Sequence, residues 1–481
     1  MPYKDLQEFI KCLENHDQIK RINEPVSHLL EIAEFTQRVS RRQGPALIFK
    51  NIPGHHLPVI TNTFGSPQRI ALALDTSDLD QLGEDVAKFI ETKTPNSPSQ
   101  KIPESIRQRI ANSTPTTVTN APCQELTFYD DEIDLYAIPI LKCWPEDGGQ
   151  AITLPVVLTK NPESGERNVG MYRMQIYDKK TTGMHWRPNT GGAKHFQIAE
   201  RLGKDLEVAV AIGPEPALTY AATAPLPYNI DEILFAGFLR RAPIELVKCK
   251  TIDMEVPASS QIILEGYVRC GSRRLEGPFG NHTGYYSPAE EYPVFHVTCL
   301  TMRKDAIYPA TVVGQPPQED CFWAKATERL FLPILKKTFP EIVDINMPVE
   351  GIFNNMAFIS IRKKYPGHAK EVINALWNTE WMMLRKIICI FDEDVNVQCL
   401  SEVIWRLGNN IDPKRDIIFV DGPVDSLNPA SPVPSYGSKM GIDCTRKDRK
   451  EGLKRTWPPT MKMEQEVEKK VDRLLSRLGL I

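Results

Sequence analysis

No C-x-x-C pair occurs among the ten cysteines, and no His/Cys cluster carries zinc spacing. A structural zinc site and a disulfide-stapled secreted scaffold are therefore both excluded by pattern. The cysteines fall instead inside apolar runs such as Lys386-Ile-Ile-Cys-Ile-Phe391, where cysteine is usually a small core residue. Nowhere is there the run of about 18 apolar residues that a membrane span needs, and Met-Pro-Tyr-Lys-Asp-Leu at the start is not a signal peptide. No long basic stretch exists and the net charge is only −3, so nothing calls for nucleic acid. No G-x-G-x-x-G follows a strand-like run, which removes the usual dinucleotide fingerprint. What remains is a reduced, cytoplasmic, globular protein. Its 481 residues suit two or three domains, with 41% hydrophobic and 25% charged content.

Two distant segments carry chemistry. Glu276-Gly-Pro-Phe-Gly-Asn-His-Thr-Gly-Tyr-Tyr286 sets an acid, an amide and an imidazole on a backbone of glycines and a proline. Such a chain can pass close to a ligand. Burial of Glu276 would favour its protonated form, which suits a proton donor or acceptor. An isolated G-x-x-G is more often a surface turn. Here a second segment complements it: Asn168-Val-Gly-Met-Tyr-Arg173, then Gly183-Met-His-Trp-Arg-Pro-Asn-Thr-Gly-Gly192. Its alternating runs, 173–177 and 183–187, predict a hairpin around Asp178-Lys179-Lys180. Arg173 and Arg187 offer planar forks for carboxylate or phosphate. Trp186 offers a flat face, and Gly191-Gly192 leaves backbone amides open to an anion. Together they describe a pocket for a planar phosphorylated cofactor and an acidic substrate.

At these residues the chain resembles the UbiD family of non-oxidative decarboxylases. The likeness continues through Asp231-Glu232 to Arg240, Val247-Lys-Cys249, Val256-Pro-Ala-Ser259, Gly367-His-Ala-Lys370 and Gly437-Ser-Lys-Met-Gly-Ile-Asp443. It implies prenylated FMN (prFMN) with a divalent metal, usually Mn²⁺ and often with K⁺, and loss of CO₂ from an aromatic or α,β-unsaturated acid. By this resemblance Asn168 and Glu232 are the metal ligands, a hard oxygen set suited to Mn²⁺. Met171, Tyr172, Arg173, His185, Trp186, Arg187, Thr190 and Gly191 contact the cofactor. Arg173, Glu276 and Asn281 are the catalytic positions, Arg173 fixing the substrate carboxylate and Glu276 protonating the carbon left behind. Asn281 stands where the family carries an acid, and an amide has no proton to titrate; proton delivery then falls to Glu276 or the adjacent His282. Asn189 stands near a position where members often carry histidine. The implied role is quinone biosynthesis, acting on 3-polyprenyl-4-hydroxybenzoate or on a menaquinone-route naphthoate. Arg167–Gln175 and Ala217–Pro227 look closer to the second. A flavin prenyltransferase would supply the cofactor. Two other classes compete: a flavin-dependent oxidoreductase, and a relative that keeps cofactor but has altered catalysis because of Asn281.

The expected fold is α/β. An N-terminal α/β unit covers 1–93, with helices around Leu6–Leu13, 28–40 and 78–92 and strands at Ala46–Phe49 and Leu57–Ile60. A Pro/Ser/Thr-rich linker follows at 94–117, with a short helix at Glu104–Ala111. The region 118–322 is rich in strands and predicts a closed or split β-barrel of flavin-reductase type holding the cofactor. Residues 323–460 alternate helix and strand as a C-terminal α/β domain, with Gly437–Thr445 read as a loop carrying a solvated Lys439. The tail 461–481 reads as an amphipathic oligomerisation helix with Val467, Val471, Leu474, Leu475 and Leu478 on one face. It suggests a homo-oligomer, dimer or hexamer, with peripheral membrane contact kept open.

Overall fold

The structure is a computed structural model that describes residues 3–93, 102–188, 190–228 and 230–480. Part of the Pro-rich linker (94–101) and Asn189 thus lie outside the described residues.

The first unit opens with α1 (Leu6–Asn15), whose Asp5 cap accepts from Glu8 N at 2.8 Å and whose buried stripe is Leu6, Phe9, Ile10 and Leu13. Strand β1 (Ile19–Pro25), helix α2 (Glu31–Ser40) and strands β2 (Ala46–Asn51) and β3 (Val59–Thr61) follow, then helix α3 (Leu79–Lys93). β1 was not foreseen, because five of its seven residues are charged, polar or proline and the other two are isoleucines that stay half-buried. In α3, Gly83 lets another helix approach closely, since a Cβ there would stand 2.7 Å from the Arg329 carbonyl oxygen.

The central region carries β4 (Leu126–Tyr129), β5 (Pro155–Lys160), β6 (Arg167–Met171), β7 (Thr181–Gly183), α4 (Gly191–Arg201), β8 (Leu206–Ile212), α5 (Glu232–Arg240), β9 (Ile262–Glu276) and β10 (Glu290–Met302). Their sheet runs β7-β10-β9-β8-β5-β6, with β4 also on β10. Every pairing is antiparallel. Among the described residues this path ends at β7 and β6 without joining, so the closed barrel is not realised. The predicted hairpin around 178–180 forms with a sparse ladder: an antiparallel bridge joins Ile176 to Thr182, Tyr177 N donates to Thr181 O at 3.0 Å and His185 N donates to Arg173 O at 3.3 Å. Met174–Gln175 then pairs with Ala151–Ile152, whereas β7 pairs with β10.

Strand β11 (Tyr308–Ala310) returns to β3, extending the first sheet to β1-β2-β3-β11. Helix α6 (Glu319–Thr338) then begins with buried Glu319, which accepts from Phe64 N at 2.7 Å and Thr63 Oγ1 at 3.0 Å. Trp323 meets the Phe64 ring at 5.3 Å, and one continuous core runs from Phe9 through Phe89 and Phe235 to Leu330. Each such side chain, fully buried, contributes about 1.5–3 kcal/mol, so the first and central units are held together by more than a linker.

The C-terminal sheet is mixed: β12 (Ile342–Asn346), β13 (Met356–Ile361), helix α7 (His368–Trp377), β14 (Ile387–Asp392), helix α8 (Leu400–Asn410), β15 (Ile417–Pro423) and β16 (Tyr436–Asp443) stand in the order β12-β13-β14-β16-β15. β16 corrects the loop expected at 437–445. Its glycine-rich text reads as a turn, but Gly441 is needed because a Cβ would meet Ile373 at 2.6 Å. Lys439 is buried, not solvated; its ammonium donates to Met383 O at 2.5 Å and lies over the Trp377 ring. The chain ends in α9 (Gln465–Arg477), none of whose residues is buried. No helix of the described residues is long and apolar enough to cross a membrane.

Candidate active site

Two neighbouring constellations arise from the ends of β6, α4, α5 and β9. In the first, β6 and α5 are tied by Val169 N, which donates to Glu232 Oε2 at 3.1 Å. Asp231 caps α5 by accepting from Ile233 N at 2.8 Å, and Arg167 pairs with that Asp231. Glu232, the first residue of the helix, is thereby held beside Asn168. Burial pushes its carboxyl up to about 7.

Asn168 Oδ1 packs against the Gly191 backbone so closely that a Cβ on Gly191 would lie 1.7 Å from it. Gly170 is equally constrained, with the Tyr172 hydroxyl 2.3 Å from a Cβ position. Tyr172 accepts from Gly192 N at 3.3 Å, and burial raises its phenol. These residues line a cavity of about 400 Å³ with Met171 on one wall. Thr190 leaves the start of α4 uncapped, spending its hydroxyl on Arg187 O at 2.9 Å. Gly191, the first residue of that helix, lines the cavity, so the positive end of the helix dipole borders it and suits an anion.

Lys194, His195, Tyr228 and Glu380 also line this cavity and were not foreseen. Lys194 and His195 lie one turn beyond Gly191 on the same helix, so the 3.6-residue period was the available signal. His195 is fixed at both nitrogens, by Thr159 Oγ1 at 2.8 Å and Tyr228 OH at 3.2 Å, and burial lowers its pKa to about 4. Lys194 lies over the Tyr228 ring at 4.9 Å.

The second constellation centres on Glu276, at the end of β9 and 2% exposed. Its Oε1 receives Arg173 Nε at 3.1 Å and His185 Nδ1 at 2.9 Å. Its Oε2 is buried without a partner among the described residues. Gly183 makes room for that oxygen: a Cβ there would come within 2.5 Å. The Arg173 guanidinium lies 4.3 Å from the Phe279 ring centre, and burial lowers its pKa despite Glu276. His185 stacks at 4.2 Å on Tyr292, and burial lowers its pKa as well.

The loop after Glu276 is anchored by residues that sequence reasoning missed. Asp147 accepts from Gly280 N at 2.8 Å and from Trp144 N at 2.9 Å, while Trp144 Nε1 donates to Val313 O at 2.8 Å. Gly280 and Gly314 pack on the Trp144 ring where a Cβ would meet it at 2.3 and 2.6 Å. Neither residue had a sequence partner to reveal it.

Not every expected residue joins the cluster. Asn281 is buried nearby, but its Oδ1 accepts from Thr283 N at 2.9 Å and Thr283 Oγ1 at 2.6 Å, holding its own loop. Trp186 is buried and packs against Phe196 at 5.4 Å. Arg187 reaches instead toward Asp425 of the C-terminal domain, 4.0 Å away. His282 meets Phe353 of that domain at 5.3 Å, and burial lowers its pKa to about 4.

Comparison with known proteins settles the family. The 3-octaprenyl-4-hydroxybenzoate carboxy-lyase N-terminal, Rift-related and C-terminal domains match residues 10–87, 116–316 and 321–444. The chain belongs to the UbiD family. This UbiD-family carboxy-lyase is 47% identical to an uncharacterized protein of Archaeoglobus fulgidus over 99% of both chains. It is similar to vanillic acid decarboxylase of Sedimentibacter hydroxybenzoicus in its closed form, with 30% identity, 99% of each chain covered and a TM-score of 0.86. An evolved dimeric form of the UbiD-class enzyme HmfF from Pelotomaculum thermopropionicum in complex with prFMN is also similar: 29% identity, 95% of this chain and 97% of that one, TM-score 0.78.

Proposed function

We propose that this carboxy-lyase removes CO₂ non-oxidatively from an aromatic carboxylic acid in quinone biosynthesis, using prFMN and a divalent ion. The observation that carries the reading is the buried meeting of Arg173 and His185 on one oxygen of Glu276, with the other oxygen left without a hydrogen bond among the described residues. A carboxyl held in that way has one face fixed and one face free to exchange a proton.

The residues present fit the cofactor and ion. Among the described residues no three His, Cys, Asp or Glu side chains cluster as a complete metal cage. Asn168 and Glu232 supply two hard oxygen donors, so a divalent ion here needs phosphate or water to complete its shell. Gly191 at the start of α4 and the Lys194 ammonium, both on the cavity wall, suit that same phosphate. Bound prFMN supplies the electron sink for decarboxylation.

The chain's own groups do the rest. Arg173 orients the substrate carboxylate and is kept charged by Glu276. Glu276 delivers a proton to the carbon that carried CO₂. His185, whose pKa burial lowers, holds Glu276 in register through Nδ1. Phe279, whose ring packs on the Arg173 guanidinium, fixes its position.

The test is co-expression with a flavin prenyltransferase, followed by absorbance, metal content and CO₂ release from candidate acids. CO₂ evolution that needs prFMN is expected. Unmodified FMN with hydride transfer would mark an oxidoreductase, and bound prFMN without CO₂ release would mark a catalytically silent relative.

A further inference from the structure

A second cavity, of about 310 Å³, lies between the central region and the C-terminal domain. Its apolar walls are Trp323, Trp381, Phe353 and Met347, and its polar walls include Asp320 and Arg385. Thr223 lines both this cavity and the one holding Asn168 and Glu232. Phe353 joins it to the catalytic loop through its contact with His282. Arg173 and Glu276 are not among its walls.

Arg385 is the anomaly. Its side chain is buried, with 7% of the residue exposed, yet no carboxylate stands within ion-pair distance among the described residues. Nη1 donates to Asn354 O and Asn354 Oδ1, both at 3.0 Å, and Nε has no partner. Asp425 is the acid whose field reaches it, and burial still lowers its pKa to about 10. A buried guanidinium with no carboxylate in ion-pair contact is a costly arrangement unless something arrives to pair with it. Across the cavity Asp320 is also desolvated, its carboxyl pushed up to about 7 by burial, which lets it donate a hydrogen bond to an oxygen.

We propose that Arg385 is a substrate-recognition residue that binds an acidic oxygen, a phenolate or a second carboxylate, on the part of the aromatic acid remote from the carboxylate that leaves. The proposal rests on the decarboxylase reading above. Trp323, Trp381 and Phe353 sandwich the ring, Arg173 takes the reacting carboxylate, and Arg385 takes the far oxygen. A purely aliphatic substituent in that place would leave the guanidinium buried and unpaired, so substrates carrying one are disfavoured there.

The test uses the prFMN-loaded enzyme and three acids of one ring system: 2-naphthoate, 6-hydroxy-2-naphthoate and 2,6-naphthalenedicarboxylate. Equilibrium binding by calorimetry is measured beside CO₂ release, for the natural chain and for Arg385→Lys and Arg385→Met. One or both oxygen-bearing acids should bind about ten- to a hundredfold more tightly than 2-naphthoate. Which of the two is preferred identifies the phenolate or the carboxylate as the ligand. In Arg385→Met the preference should fall to within about threefold, with Arg385→Lys intermediate because it keeps charge but loses the fork. Equal binding of all three by the natural chain overturns the proposal whatever the variants do, and so does an undiminished preference in a folded Arg385→Met. CO₂ release from all three at equal KM overturns the Arg385 assignment alone. No CO₂ from any of them, with prFMN bound, overturns the decarboxylase reading and this proposal with it.

Discussion

His185 Nδ1 lies 2.9 Å from Glu276 Oε1, the same oxygen that receives Arg173 Nε, so one carboxylate oxygen is doubly bonded while the other is buried and free. Glu276→Gln keeps an acceptor for both donors but removes the exchangeable proton. Turnover should fall by about 10²–10⁴, with the prFMN absorbance of the loaded enzyme unchanged. Removing the acceptor altogether, as in Glu276→Ala, should also cost about 3–5 kcal/mol of stability, because Arg173 is then buried without its partner. Near-normal kcat in Glu276→Gln would take the catalytic role away from this side chain.

Asn281→Asp should be tolerated. An aspartate accepts the same two hydrogen bonds from Thr283 that the amide oxygen accepts now, so the loop keeps its shape. What changes is that a second titratable acid enters the loop beside Glu276. The pH profile of kcat should gain or shift an acidic limb, while the melting temperature stays within a few degrees. An unchanged profile would make Asn281 a loop-holding residue alone.

Gly191→Ala should unload the site without unfolding the chain. The new methyl would stand 1.7 Å from Asn168 Oδ1, so the asparagine must swing away from Glu232. Overpacking of this kind costs about 1–3 kcal/mol, which a protein of this size survives. The measurable result is loss of bound Mn²⁺ and prFMN on purification, read by metal analysis and absorbance, with a circular dichroism spectrum like that of the natural chain. Full retention of both would remove Asn168 from the ligand set.

Much of this site was legible in the sequence, and what was not has a physical cause. Asn168, Met171, Tyr172, Gly191 and Glu232 do share one cavity, and Arg173, His185 and Glu276 do form one cluster. Glycine-rich text gave both away, because glycines at 170, 183 and 191 are each forced by a side chain packed where a Cβ would be. The same reasoning failed at Gly437–Thr445, where glycine serves close packing inside a strand. Strand β1 escaped notice because its polar pattern carries little alternation, and Trp144 and Asp147 because their partners lie over a hundred residues away. Arg385 carries no mark in the sequence. Only the fold shows it buried with no carboxylate in ion-pair contact among the described residues.

Acid should destabilise the protein through its buried histidines. The pKa of His195 is lowered from 6.5 to about 4 by burial, so on cooling the pH from 6.5 toward 4 the unfolded chain takes up a proton that the folded chain refuses. The stabilising contribution is thus complete above pH 6.5 and lost as pH falls through about 4. His28 and His282 act in the same direction. His195→Gln keeps hydrogen-bonding capacity toward Thr159 and Tyr228 but cannot titrate. Its melting temperature should fall less steeply than that of the natural chain between pH 6.5 and 4. Parallel slopes would show that His195 is already protonated in the fold.

The terminal helix should be where subunits meet. Val467, Val471 and Leu478 are exposed on α9, no residue of the helix is buried, and Met461 and Met463 just before it are open as well. An apolar stripe left in water forgoes about 25 cal/mol for every Å² that a neighbour could cover, and a second copy of the same stripe covers it symmetrically. Glu466, Glu468 and Asp472 interrupt the basic residues of the opposite face, which argues against an anionic lipid surface as the partner. Deleting residues 461–481 should therefore lower the sedimenting mass to that of a smaller assembly while the melting temperature of the remaining core changes by only a few degrees. A full-length chain that sediments as a monomer, or one that floats with anionic vesicles through this segment, would assign the stripe to something other than itself.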